Sequence, residues 1–183
     1  MANLEPKSVK SKSGSGVVIR SAKVTDAEQI VKLSKAVAEE EIYELISGKE
    51  FNRSVDTDQK WIESHEANPN HIIIIAEVNS KVIAVLDFAN GHRQRIAHVG
   101  DAGISIAKDF RDQGIGSLLM KALIEWAKDN SAIEKIGLQV HSSNDRAIGM
   151  YKKMGFEIEG VRKRDLKYND GHYVDTVVMG LFV

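Results

Sequence analysis

Two apolar runs near the middle of the chain, His71–Val78 (HIIIIAEV) and Lys81–Phe88 (KVIAVLDF), are separated only by Asn79-Ser80. A strand with one wet face alternates apolar and polar residues, and four consecutive isoleucines offer water no such face. The pair therefore reads as an antiparallel hairpin with a two-residue turn, buried on both sides. Other elements have to cover both faces of the sheet that contains it. Ile30, Leu33 and Val37, continued by Ile42 and Leu45, predict one helix, opened by a capping box in which Thr25 is followed by Glu28. A second helix is predicted to start near Asp56, to carry Trp61 and Ile62, and to end before Pro69, which pushes its predecessor out of helical geometry.

The flanking sequence supplies further strands. Val17–Arg20 reads as a short one, and Ile96–Ala107 as a long one interrupted by Gly100 and Gly103, where a bulge or a close backbone approach is expected. Gly114–Lys128 is helical by the spacing of Leu119, Leu123, Trp126 and Ala127, and Glu134–Val140 alternates as a strand does. Asn144–Met154 is a short helix stopped by Gly155. Phe156–Lys167 and His172–Val183 flank Asn169-Asp170-Gly171, a hairpin signal. The sum is one α+β domain over residues 17–183, with about seven strands and four helices. Residues 1–16, MANLEPKSVKSKSGSG, hold few large apolar groups to offset the entropy of ordering and are expected to form a disordered tail.

Composition narrows the function. A net charge of −1 provides no global field for nucleic acid or an anionic membrane, so neither is expected as a partner. The absence of cysteine removes disulfides, thiolate-bound zinc and a thiol nucleophile, and no metal is expected. No window approaches the apolar length of a membrane span, and the first residues lack a secretory h-region, so a cytoplasmic protein is the default.

One stretch points to chemistry. In Phe110–Met120, FRDQGIGSLLM, Gly114 and Gly116 stand between a strand and a long helix. The first amides of a helix have no intrahelical partner and lie at the positive end of its dipole, so they can receive an anion. Glycine lets such an anion approach the backbone, and Arg111 adds a permanent cation. The Walker pattern is excluded because no lysine precedes Ser117, and the G-x-G-x-x-G dinucleotide pattern fails at Leu119. On pattern alone, a tight turn and an anion cradle both remain open.

Arg111-Asp112-Gln113-Gly114-Ile115-Gly116 resembles the Q/R-x-x-G-x-G/A signature of the GNAT N-acetyltransferase superfamily, and Asn144–Phe156 (NDRAIGMYKKMGF) resembles its N-x-x-A-x-x-x-Y-x-x-x-G-F string. The resemblance covers residues 17–183. It implies a central mixed, mostly antiparallel seven-stranded sheet and an acetyl-CoA-dependent transfer to a primary amine of a small molecule or a peptide N-terminus. By the same resemblance, backbone amides of Arg111, Asp112, Gln113, Gly114, Ile115, Gly116 and Ser117 hold the pyrophosphate. Ile104, Ser105 and Ile106 pair with the pantetheine arm, and Asn144, with Ala147 one turn later, contacts the cofactor. Asn144 also reads as a helix cap. Tyr151 matches the family's general acid, since a phenol with a pKa of about 10 keeps its proton for a departing thiolate. The general base is unassigned: Asp101, His98, Glu77, Asp87 or a water could serve, and His98 and Asp101 would face opposite ways on an unbulged strand. A homodimer is expected from family habit and the apolar final strand. The alternative is a catalytically silent acyl-CoA-binding sensor, against which Tyr151 argues.

Overall fold

The computed structural model describes residues 4–40, 42–43 and 45–183. In chain order these form β1 (Lys7–Lys10), β2 (Gly16–Ser21), α1 (Ala27–Ala38), α2 (Val55–Glu66), β3 (Ile72–Val78), β4 (Lys81–Asn90), β5 (Val99–Ile106), α3 (Ile115–Asp129), β6 (Lys135–His141), α4 (Asp145–Lys153), β7 (Glu157–Lys167) and β8 (Tyr173–Phe182). One eight-stranded sheet runs in the order β1-β2-β3-β4-β5-β6-β8-β7. Its neighbours are antiparallel except β5 and β6.

The isoleucine run does what its lack of a polar face requires. Successive strand residues point to opposite faces, so Ile72 and Ile74 join a core with Leu119, Leu123 and Trp126 of α3. Ile73 and Ile75 join a second core with Ile30 and Leu33 of α1 and Ile62 of α2. Each of the four is buried, a gain of about 2 kcal/mol per side chain from apolar transfer. Asn79 and Ser80 take positive φ (49° and 62°), as a primed hairpin turn demands. Gly100 marks a close approach: a Cβ there would stand 2.3 Å from the Phe88 ring.

Three expectations need correction. Lys7–Lys10 lies in the segment expected to be a disordered tail, yet it pairs antiparallel with β2 from Lys7↔Ile19 to Lys10↔Gly16. Backbone pairing needs no apolar side chains, and Val9 with Leu4 adds apolar contact to the core. This strand raises the count from the seven expected to eight. The capping box at Thr25 and Glu28 is absent. A 3₁₀ turn, Val24–Asp26, precedes α1, and the Asp26 carboxylate accepts from the Lys23 amide (2.8 Å) while Arg20 holds both its oxygens (2.7 and 2.9 Å). Finally, α1 ends at Ala38, and Ile42, Leu45 and Ile46 lie in the following loop, 45%, 77% and 47% exposed.

Candidate active site

The ladder between β5 and β6 is short: Val99↔Lys135, Gly100↔Ile136 and Asp101↔Gly137 are its only pairs, after which the strands part. The fork opens into a cleft of about 1240 Å³, larger than the ~300–1,000 Å³ typical of small-ligand sites. One wall is the β5 segment Ala102, Gly103, Ile104, Ser105 and Ile106, and the opposite wall is the end of β6 with Asn144, Ala147 and Tyr151 of the α4 region. The floor is the start of α3, and the α1–α2 loop contributes Ile42, Tyr43, Leu45 and Ile46.

The entrance to α3 has the geometry read from its glycines. Gly114 is the N-cap with φ +82°, a left-handed conformation that suits glycine. At Gly116 a Cβ would come within 3.2 Å of Met150 Sδ and 3.3 Å of Ile106 Cδ1, so the second glycine is a packing requirement as well. Arg111, Asp112, Gly114, Ile115, Gly116 and Ser117 all line the cleft. Gln113 is drawn the other way. Its carbonyl accepts from the Lys12 amide (2.9 Å), its side-chain oxygen from Ser13 Oγ (2.7 Å), and its side-chain amide donates to the Asp109 carbonyl (2.9 Å).

Arg111 is not the free cation its position promised. Its guanidinium donates to both oxygens of Glu40 at 2.7 Å and, through Nε, to the Ile106 carbonyl at 3.0 Å. The two side chains are 19% and 17% exposed, so the pair ties the end of α1 to the loop. Glu40 belongs to an acidic run, Glu39-Glu40-Glu41 and Glu44, that the sequence does not distinguish from a solvated charged face. Glu41 and Glu44 of that run lie outside the described residues. Asp112, with φ +64°, pairs with Arg146 at 2.6 Å.

Asn144 caps α4 by accepting from the Ala147 amide at 3.1 Å, and its residue also faces the cleft. Tyr151 lies on α4 between core and cleft, 5% exposed, its ring 5.6 Å from that of Phe156. Burial pushes its pKa up to about 12, so the phenol is protonated at neutral pH.

The four base candidates separate. Glu77 is held by Arg20 (2.8 Å) away from the cleft. His98 precedes β5 and uses its carbonyl to accept from Glu134 and Lys135; it does not line the cleft. Asp101 and Asp87 both line it. Asp87 stands on β4 opposite Gly103, where a Cβ would come within 2.9 Å of its Oδ1, so glycine makes room for the carboxyl. Burial, opposed by the charge of Arg53, raises Asp87 to about 6.

At the end of β6, His141 meets Tyr168 of the β7–β8 connection. His141 Nε2 and Tyr168 Oη are 3.0 Å apart, and the Tyr168 hydroxyl donates to the Ile42 carbonyl at 2.9 Å. Because that hydroxyl has one proton, His141 donates through Nε2, while Ser143 Oγ lies 2.8 Å from the acceptor Nδ1. Burial and the nearby His172 lower the His141 pKa and favour this neutral form. Only the Asp170-Gly171 turn signal hinted that Tyr168 would be carried toward β6. Among the described residues no cluster of three or more His, Asp or Glu is placed to hold a metal, and no helix is long and apolar enough to cross a membrane.

A strand fork that opens onto a glycine-capped helix is the feature that sequence comparison can place. Residues 38–156 match the family model described as acetyltransferase (GNAT) family. The chain belongs to the GNAT acetyltransferase family. It is similar to the L-amino acid N-acetyltransferase AaaT of Escherichia coli, with 32% identity over 165 residues covering 90% of this chain and 97% of that protein. Among solved structures, a GNAT-family acetyltransferase from Streptococcus pneumoniae superposes with a TM-score of 0.88 at 28% identity, over 91% of this chain and 99% of that one. The protein yncA from Salmonella typhimurium, solved with its cofactor acetyl-CoA, shares the fold at a TM-score of 0.82, 16% identity, and 92% and 94% coverage. This GNAT chain is accordingly an N-acetyltransferase enzyme.

Proposed function

We propose that the chain transfers the acetyl group of acetyl-CoA to a primary amine, with Asp87 as general base and Tyr151 as general acid. The observation that carries the reading is that both groups line one cleft, which runs from the fork of β5 and β6 to the amides at the start of α3. The residues fit the coenzyme: the cleft is large, a glycine in left-handed geometry opens the helix, and the absence of a side chain at Gly116 lets Met150 and Ile106 pack close to the start of α3. Acetyl-CoA would supply the activated acyl group as a thioester. The amides of Gly114, Ile115, Gly116 and Ser117 would receive the diphosphate, and Ile104, Ser105 and Ile106 would run beside the pantetheine arm in the manner of an added strand.

Above a pH of about 6 the Asp87 carboxylate is ionised and can take the proton that an ammonium acceptor must lose before attack. The Tyr151 hydroxyl can then donate its proton to the sulfur that leaves, and recovers it from solvent afterwards. With its pKa raised to about 12 by burial, the phenol is fully protonated at neutral pH, so its proton is in place as charge develops on the departing sulfur. At the other end, Ile42, Tyr43, Leu45 and Ile46 give the acceptor an apolar frame. Free amino acids are the first acceptors to try, since the similar AaaT is named for L-amino acids; peptide N-termini are the second.

The test is thiol release from acetyl-CoA with a panel of L-amino acids, other small amines and short peptides. Amine-dependent release with at least one member is expected. Release no faster than background hydrolysis across the panel would overturn the reading.

A further inference from the structure

Short of the cleft, the β1–β2 hairpin does something its composition hides. Ser11 donates its amide to the Ser15 carbonyl (2.9 Å) and Gly14, with φ +85°, donates to the Ser11 carbonyl (3.0 Å), which folds the connection into a tight turn. The turn is fastened to the loop before α3 by two bonds to Gln113, one from the Lys12 amide and one from Ser13 Oγ. A further ion pair, Lys7 to Glu125 (2.8 Å), ties the hairpin to the side of α3. The consequence is the position of Lys12. Its Cγ, Cε and Cδ lie 3.4, 3.5 and 3.7 Å from where a Gly114 Cβ would stand, so its stem crosses the N-cap of α3. Lys12 lines the cleft, and among the described residues its ammonium has no carboxylate partner.

Of the two cations on the loop's own segment, Lys108 is not among the residues that line the cleft. Arg111, the other, is neutralised by Glu40 on both nitrogens. We propose that Lys12, delivered by the β1–β2 hairpin, is a coenzyme-binding residue that contacts a phosphate group of coenzyme A at the entrance of α3. The proposal rests on the acetyl-CoA reading above. It assigns the hairpin a role: the hydrogen bonds to Gln113 fix the backbone that carries the lysine beside the N-cap of α3. Lys12 lies beside the N-cap of α3, so the quantity it should set is coenzyme affinity.

The test is calorimetric titration of coenzyme A into the full chain, with Lys12→Met, which keeps the apolar stem over Gly114 and removes the charge. A charge-assisted contact to phosphate corresponds to about tenfold in affinity. Lys12→Met should weaken binding by that order and flatten the dependence of affinity on salt. Lys12→Arg should retain wild-type affinity, and Lys10→Met, on the same hairpin but outside the cleft, should not change it. Turnover at saturating acetyl-CoA should be unchanged in the Lys10→Met control. Titration with 3′-dephospho-coenzyme A locates the contact: a loss seen with both ligands places it on the diphosphate, a loss seen only with coenzyme A places it on the 3′-phosphate, and either supports the proposal. A wild-type chain that binds coenzyme A and a Lys12→Met variant that binds it equally well would overturn this inference alone. A wild-type chain with no affinity for coenzyme A would overturn the acetyl-CoA reading and this inference with it.

Discussion

Replacing Asp87 by asparagine should make the protein more stable and less active, with both effects tied to the same proton. Burial raises the carboxyl from 3.8 to about 6, so between those values the native state binds more protons than the unfolded chain. Stability therefore falls as pH rises through that window and is level above it. At about 1.4 kcal/mol per pH unit, the shift corresponds to a cost of up to about 3 kcal/mol that wild type bears at pH 7 and above. Asparagine has nearly the same shape and carries no charge, so the variant avoids the cost. In a chain of this size the gain would appear as about 6–12 °C in melting temperature at pH 8, shrinking to nothing near pH 4. Activity should move the other way. For a general base, wild-type kcat/KM should rise with pH and level off above about 6, and Asp87→Asn should lose about 10²–10⁴-fold on that plateau. Melting curves across pH 4–8 and rate profiles on the two proteins test both halves. An asparagine variant destabilised equally at every pH, or one that keeps wild-type kcat/KM, would refute the assignment.

Tyr151→Phe retains the ring that packs on Phe156 and removes only the hydroxyl; kcat should fall about 10²–10⁴-fold with acetyl-CoA affinity little changed in a direct binding assay. Glu40→Gln removes half of the Arg111 pair but leaves its guanidinium in place, so melting temperature should drop while the added positive field at the loop raises coenzyme A affinity in calorimetry. Tyr168→Phe breaks the bond to the Ile42 carbonyl and unlatches the α1–α2 loop, which should raise KM for the amine and leave KM for acetyl-CoA unchanged in steady-state assays. The apolar final strand, the sequence-based ground for expecting a homodimer, is paired on both sides within its own sheet by β6 and β7; a dimer would have to use the half-exposed Ile158 and Val161 of the edge strand β7, and Val161→Glu should then shift the sedimentation coefficient toward that of a monomer.

The residues that sequence reading placed best are those whose chemistry is local. Gly114 and Gly155 adopt the positive φ that their turn and cap positions require, and the Asn144 cap follows from spacing alone. The isoleucine run announced a sheet covered on both faces because side-chain alternation is a property of the strand itself. What escaped the sequence depended on contacts distant along the chain. Arg111 meets Glu40 seventy-one positions away, and no local pattern distinguishes that pair from a solvated charge run. Asp87 sits in an apolar strand whose sequence gives no sign that Gly103 of the next strand will leave room for a carboxyl. Ile42 and Leu45 kept a helical spacing that the chain does not use, because α1 ends at Ala38 and the following segment turns to frame the cleft. The strand Lys7–Lys10 carries one apolar side chain, and its order comes from backbone pairing with β2 and from bonds to Gln113.

A crystal structure with coenzyme A and an unreactive amine tests the central claim most directly. The pantetheine arm should lie in the fork beyond Asp101 and Gly137, with the diphosphate at the amides of Gly114–Ser117 and the sulfur within hydrogen-bond reach of the Tyr151 hydroxyl. The amine should approach Asp87 directly or through one water. Coenzyme bound outside the β5–β6 fork, or a sulfur beyond the reach of Tyr151 with the fork occupied, would contradict the account.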